Sequence, residues 1–218
     1  MRSSAPALAE QFDSFEHQRE SSVLGMWVFL GAEMIFFGGA ILGFVEFRHA
    51  YVADFNAASN HTKIVLGTVN TAVLLTSSLF MALAVHAAQE GKNRRLLGFL
   101  AATMLLGTAF LAVKFAEYYL EVVEGLVPGP RFRMDGADSR HAQLFFVCYF
   151  TMTGVHALHL IIGIALLGFL GLRTLGGKVT PQNHNVVEVG GLYWHFVDIV
   201  WIFLFPLLYL LGRHAGHG

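Results

Sequence analysis

Read from the amino terminus, the chain alternates long apolar runs with short polar ones. A hydrocarbon core of roughly 30 Å is crossed by about 20 helical residues. Five runs reach that length, near Val23 to Val45, Ile64 to Val85, Leu96 to Tyr119, Leu144 to Leu170 and Val186 to Leu211. The polar connections are Arg48 to Lys63, the short Gln89 to Arg95, the longer Glu121 to Arg140 with Pro128-Gly129-Pro130 inside it, and Gly176 to Asn185. Backbone groups in hydrocarbon must be satisfied within their own segment, and the alternation of a membrane barrel is absent, so the runs are expected as helices. The expected fold is all-α, a polytopic membrane protein built as a bundle of five transmembrane helices. A polar N-terminal tail over residues 1–22 precedes the five-helix transmembrane domain of residues 23–218. No internal repeat or low-complexity tract interrupts the pattern.

The polar positions inside the apolar runs are the informative ones, because an ionisable side chain at membrane depth costs several kcal/mol and turns toward other helices, a cavity or a partner group. In the last run, Tyr193-Trp194-His195-Phe196-Val197-Asp198 sets His195 and Asp198 on one helical face, with Glu188 two turns before His195. Glu33 lies near the middle of the first run among apolar neighbours. It reads either as a proton-handling carboxyl or as a neutral group hydrogen-bonded to another helix. Lys114 and Glu117, at i and i+3, are placed to pair, the usual way to keep a lysine this deep. His156 and His159 share a face of the fourth run. The hydroxyls of Thr71, Thr76, Ser77 and Ser78 read as packing residues that bond back to their own helix, and Tyr118 and Tyr119 as an interfacial aromatic belt.

Several histidines fall in or near the runs: His61, His86, His156, His159 and His195. Two imidazoles from different helices can ligate a haem iron, but only Gly154 beside His156 and Gly190-Gly191 before His195 clear space for a macrocycle. No His-Glu-x-x-His array or carboxylate-rich set supports a metal, so no metal site is expected. A solute or proton path through Glu33, Lys114, Glu117, Glu188 and Asp198 is a further class. It lacks the paired repeats and broken helices of secondary transporters.

Composition agrees with the pattern: 55% hydrophobic residues, 13% charged and a mean hydropathy of +0.57 describe an integral membrane protein. A net charge of −1 with scattered cations gives no field for nucleic acid. The single cysteine, Cys148, offers neither a disulfide framework nor a thiolate site within this chain. A polar start carrying Glu10, Asp13, Glu16 and Glu20 is not a cleavable signal, so the first apolar run is expected to be retained. Lys and Arg divide almost evenly: seven on the N-terminal side (Arg2, Arg19, Lys92, Arg94, Arg95, Arg173, Lys178) and six opposite (Arg48, Lys63, Arg131, Arg133, Arg140, Arg213). The Lys92 to Arg95 cluster tips the expectation toward a cytoplasmic N-terminus.

The last run closely resembles the final helix of subunit III of the haem-copper terminal oxidases, cytochrome c oxidase in particular. The residues that carry the likeness are Tyr193-Trp194-His195-Phe196-Val197-Asp198 followed by Val200-Trp201. Glu33-Met34-Ile35-Phe36-Phe37, Asn70-Thr71 with Leu74-Leu75, Ala116-Glu117-Tyr118-Tyr119, Thr153-Gly154 with His156 and His159, and Glu188 match the same family in order. The likeness covers roughly Gly25 to Gly212. It lacks the first two helices of the longer form and so resembles the five-helix bacterial members.

The resemblance implies a non-catalytic subunit of the bacterial cytoplasmic (inner) membrane with its N-terminus in the cytoplasm. Such a subunit packs against subunit I, with subunit II in the same complex. It binds no haem or copper of its own, those belonging to the partner subunits, but holds phospholipid in a cleft and supports proton uptake. It implies no catalytic residue here. Glu33 is the proton-handling candidate, while Lys114, Glu117, His156, His159, Glu188, His195 and Asp198 are interhelical polar groups. The quinol oxidase subunit III and the related protein associated with nitric oxide reductases fit the same motifs.

Overall fold

The computed structural model describes residues 15–130, 132–134, 139–181, 183–210 and 212; Arg131, Arg2, Arg213 and residues 1–14 of the expected tail lie outside the described residues. The helices, in order, are α1 (Phe15–Ala50), α2 (Val52–Asn60), α3 (Ile64–Gln89), α4 (Asn93–Val123), α5 (Ser139–Leu175) and α6 (Asn185–Phe205), followed by a π turn over Pro206–Leu210. Five of them are long and apolar enough to cross a membrane: α1, α3, α4, α5 and α6 extended through its π turn. Five crossings put the α3–α4 and α5–α6 connections on the N-terminal side, and α2, the α4–α5 connection and the π turn opposite.

The helices run past the apolar segments that predicted them, because hydrogen bonding continues into the polar flanks after hydropathy falls away. Thus α1 reaches back to Phe15 and α5 begins at Ser139. The Arg48 to Lys63 connection holds the short helix α2, whose Phe55, Ala58 and Ser59 are buried. Here the periodicity was too brief to stand out.

The stops are chemically explicit. Gly91, Gly125 and Gly177 adopt φ of 71°, 75° and 68° just beyond α3, α4 and α5. In each case the following amide reaches back to the last turn: Lys92 N to Ala87 O, Leu126 N to Glu121 O, and Lys178 N to Arg173 O, at 2.9 to 3.0 Å. This is the Schellman closure that glycine permits at little steric cost. Pro206, which has no N–H to donate, marks the change from α6 to the π turn.

Helix α6 is the hub. Over half of its spanning window is buried, 56%, against 17% for α1, so α6 is enclosed by the bundle while α1 leans on its edge. Close approach follows from glycine. A Cβ at Gly190 would stand 2.7 Å from Leu170 and one at Gly191 2.9 Å from Val85, so the two residues let α5 and α3 close on α6. The space around Gly190-Gly191 that a macrocycle would need is therefore filled by aliphatic side chains.

Candidate functional site: buried polar clusters between the helices

The most enclosed cluster is centred on Lys114, fully buried on α4 and roughly 14 Å from its Val123 end at about 1.5 Å rise per residue. Its ammonium donates to Glu117 Oε2 at 3.0 Å, to the Tyr149 hydroxyl of α5 at 2.7 Å and to the Tyr209 hydroxyl of the π turn at 2.7 Å. Three N–H donors thus meet three acceptors. Tyr209 in turn donates to Glu117 Oε2 at 2.9 Å. The rings of Tyr118, Tyr149, Trp201 and Tyr209 lie 4.3 to 5.7 Å from Nζ, within cation–π range. Glu121, also fully buried, completes the cluster. The expected Lys114–Glu117 pair is therefore the core of a larger assembly joining α4, α5 and the C-terminal turn. Tyr149, Tyr209 and Glu121 carried no sequence signal beyond being polar residues within or beside apolar runs. Tyr118 turns inward to hydrogen-bond Thr153 at 2.7 Å, whereas Tyr119 stays exposed.

A second set joins α3 and α6. His195 Nδ1 lies 2.7 Å from Ser78 Oγ, and Trp194 Nε1 donates to Ser77 Oγ at 3.1 Å, which donates onward to the Thr103 carbonyl of α4 at 3.3 Å. Trp201 Nε1 donates to Thr71 Oγ1 at 3.0 Å. Thr71 and Thr76 also bond to their own helix, to the Gly67 and Ala72 carbonyls. Thr71, Ser77 and Ser78 nevertheless connect helices, which the expectation of simple packing residues missed. The Trp194 indole fits between two glycines: a Cβ would come within 2.8 Å of it at Gly107 and 3.1 Å at Gly163. Asp198 is buried nearby, with neither carboxyl oxygen hydrogen-bonded among the described residues. His156, equally buried, has no hydrogen bond at either ring nitrogen among the described residues. It packs instead between Phe110 and Trp201, with ring centroids at 5.5 and 5.1 Å.

His159, one turn beyond His156, faces elsewhere. Its Nε2 stands 3.2 Å from Glu33 Oε2 of α1, and its Nδ1 2.9 Å from the Val155 carbonyl. Tyr193 donates to the His159 carbonyl at 2.9 Å, tying the same turn to α6. On the N-terminal side, Glu188 accepts from Gln89 Nε2 of α3 at 2.9 Å and lies 3.0 Å from His184 Nε2. Beside these groups, α1 and α6 enclose an apolar cavity of about 410 Å³, lined by Trp27, Met34, Phe37, Leu192, His195 and Phe203 among others. Among the described residues, no three His, Cys, Asp or Glu side chains converge as a metal site would require.

This arrangement puts a polar contact on every spanning helix and lets each close against a neighbour. The model of the cytochrome c oxidase subunit III family matches residues 16–213, all five spans included. The chain belongs to that family. Cytochrome c oxidase subunit 3 of Alkalihalophilus pseudofirmus is 31% identical over 193 residues, 88% of each chain. Quinol oxidase subunit 3 of Bacillus subtilis is 29% identical over 200 residues, covering 90% of this chain and 92% of that one. Cytochrome bo(3) ubiquinol oxidase subunit 3 of Pseudomonas aeruginosa is 30% identical across 90% of each. Subunit III of a haem-copper oxidase implies a complex with other oxidase subunits, and the clusters above are the internal framework of such a subunit.

Proposed function

We propose that this chain is the non-catalytic third subunit of a proton-pumping cytochrome c oxidase in a bacterial cytoplasmic membrane, with its N-terminus in the cytoplasm. In this reading it packs against subunit I, with subunit II in the same complex, carries no redox centre of its own and stabilises the catalytic core. The observation that carries the proposal is the family match across residues 16–213. The α1–α6 cavity, apolar and at the edge of the bundle, suits a phospholipid acyl chain. Glu33 of peripheral α1 and His159 of α5, an ionisable pair, support proton uptake by the complex.

The test is affinity purification of the tagged chain from its own membrane. A haem-bearing partner that oxidises reduced cytochrome c is expected, and co-purification without haem would overturn the reading. A Soret band in the isolated subunit would contradict the absence of its own redox centre. Glu33→Gln is expected to slow proton uptake without abolishing turnover; unchanged rates over a broad pH range would return Glu33 to a structural role. A second reading, subunit III of a quinol oxidase, draws on relatives of that name at 29 to 30% identity. Oxidation of quinol in place of cytochrome c by the purified complex would select it.

A further inference from the structure

The turn that leads into α6 is closed around one histidine. Thr180 and Asn183 bond across it, Asn183 N to Thr180 O at 2.9 Å and Thr180 N to Asn183 O at 3.4 Å. Its Pro181 ring lies against the α3–α4 turn, where a Cβ at Gly91 would stand 2.8 Å from it, and Asn93 Nδ2 of α4 donates to the Val179 carbonyl at 3.4 Å. His184 then opens α6, its carbonyl accepting from Val187 N at 2.8 Å and Glu188 N at 3.2 Å. The imidazole bridges turn and helix. Nδ1 is hydrogen-bonded to the Pro181 carbonyl at 2.6 Å, and Nε2 to Glu188 Oε1 at 3.0 Å.

Both partners are acceptors. A peptide carbonyl cannot donate, so Nδ1 carries a hydrogen. Glu188 Oε1 already accepts from Gln89 Nε2 of α3 at 2.9 Å, and its carboxyl sits in the first turn of α6, where unpaired amides and the helix dipole favour an anion. An ionised carboxylate cannot donate either, so Nε2 carries a hydrogen too. A ring with both hydrogens is an imidazolium; a neutral ring could serve only one of these acceptors. We propose that His184 is a proton-operated latch: with two N–H hydrogens it ties the α5–α6 turn, through Glu188, to the facing ends of α3 and α6, and loss of one hydrogen opens it.

Opening breaks one N–H bond, and the proton passes to water. The ring becomes neutral, Glu188 stays a carboxylate and the net charge falls by one. Whichever nitrogen gives up its hydrogen then turns a lone pair toward an acceptor 2.6 or 3.0 Å away, so an attraction becomes a repulsion. Histidine is the side chain suited to switching near physiological pH. Water can reach this one: the His184 and Glu188 side chains retain 15% and 16% of their exposure, and His184 stands just before the Asn185–Leu210 span.

The charged groups on the elements packed around the turn set its balance. At the end of α3, Glu90 engages Lys92 at 2.8 Å and His86 at 3.8 Å, which leaves Glu188 as the carboxylate against His184. Arg94 and Arg95 of α4, Arg173 of α5 and Lys178 of the turn are cations that disfavour a charged ring, so closure depends on Glu188. Because the protonated form is the closed one, the latch adds stability at low pH and loses it as pH rises through the His184 titration. It is the same device whichever electron donor the complex uses.

The test follows the full chain, labelled with ¹⁵N and ¹³C and held in lipid nanodiscs, by NMR and amide hydrogen exchange across pH. His184→Asn identifies the His184 ring signals. Expected is a ring protonated at both nitrogens at low pH that loses one hydrogen as pH rises. Over the same range, protection of the Asn183, Val187 and Glu188 amides should fall by about tenfold or more, as loss of a hydrogen bond to a charged group implies. In His184→Asn that protection should not change with pH. Glu188→Gln, which can still accept from Nε2 but lacks the charge, should move the loss to lower pH. A His184 ring with a single hydrogen throughout, or a proton on the Glu188 carboxyl in the closed state, would overturn the proposal. So would amide protection indifferent to the His184 titration.

Discussion

Lys114→Met tests whether the buried cluster is ionised. The substitution keeps the length and volume of the side chain while removing an ammonium that makes three hydrogen bonds, of 2.7 to 3.0 Å. If Lys114 and Glu117 are charged, the variant strands a carboxylate at a position with no exposed surface. Removing one partner of a buried pair costs about 3–5 kcal/mol. Tyr209 donates to Glu117 Oε2 before and after the substitution and so leaves this difference unchanged. The expected loss is thus about 3–5 kcal/mol, read as the shift in the free energy of unfolding by denaturing detergent, with Trp201 at 5.7 Å from Nζ as the fluorescent reporter. Replacing both groups, Lys114→Met with Glu117→Gln, removes the stranded charge and should recover more than half of the loss. A single variant costing under about 1 kcal/mol, or a double variant no more stable than the single, would show that the cluster holds a neutral amine and acid.

Packing gives a second expectation: Gly107→Ala, whose new Cβ would come 2.8 Å from Trp194, should destabilise by about 1–3 kcal/mol in the same unfolding assay, whereas Gly43→Ala, with nothing within 4 Å, should be nearly neutral. On the surface, a hydrogen bond from Lys92, 2.8 Å away, holds the exposed Glu90 carboxyl below its ordinary value of 4.5. A depressed folded value stabilises at pH above the unfolded value and is lost as pH falls through the folded one. Lys92→Ala should therefore move the Glu90 titration up toward 4.5, visible by ¹³C NMR, and a titration that does not move would assign the shift elsewhere. His195→Phe removes the 2.7 Å contact with Ser78 and should lower retention of the subunit by its oxidase complex in detergent; full retention would discount that contact.

Much of the architecture is legible in the chain because membrane solvation leaves few choices. Apolar length set the spans, whereas their ends at Gln89, Val123 and Leu175, each just before a glycine of positive φ, lie beyond the apolar runs and were not read from them. Residues separated by one helical turn were equally readable, as with Lys114 and Glu117. What escaped was pairing across helices. Tyr149 and Tyr209 lie 35 and 95 positions from Lys114, and Ser78 lies 117 from His195. Their convergence depends on helix rotation and axial offset, which no local pattern encodes. The same limit applies to His156 and His159: three residues apart on α5, one meets Phe110 and Trp201 and the other Glu33, because three residues fall roughly 60° short of a full helical turn.

The polar groups also divide by what surrounds them, and that division separates framework from chemistry. The Lys114 cluster is sealed, saturates its ammonium and binds α4 to α5 and the C-terminal turn. Moving a proton out of it would expose an uncompensated charge in a site where charge separation is expensive. Such a cluster fixes helix rotation. The Glu33–His159 contact is built oppositely: one group on α1 and one on α5, both partly open, with the His159 Nδ1 hydrogen donated to a carbonyl. Any coupling between this chain and protons in its complex is therefore expected at α1 and α5, and the Lys114 cluster is expected to hold α4, α5 and the C-terminal turn unmoved while it occurs.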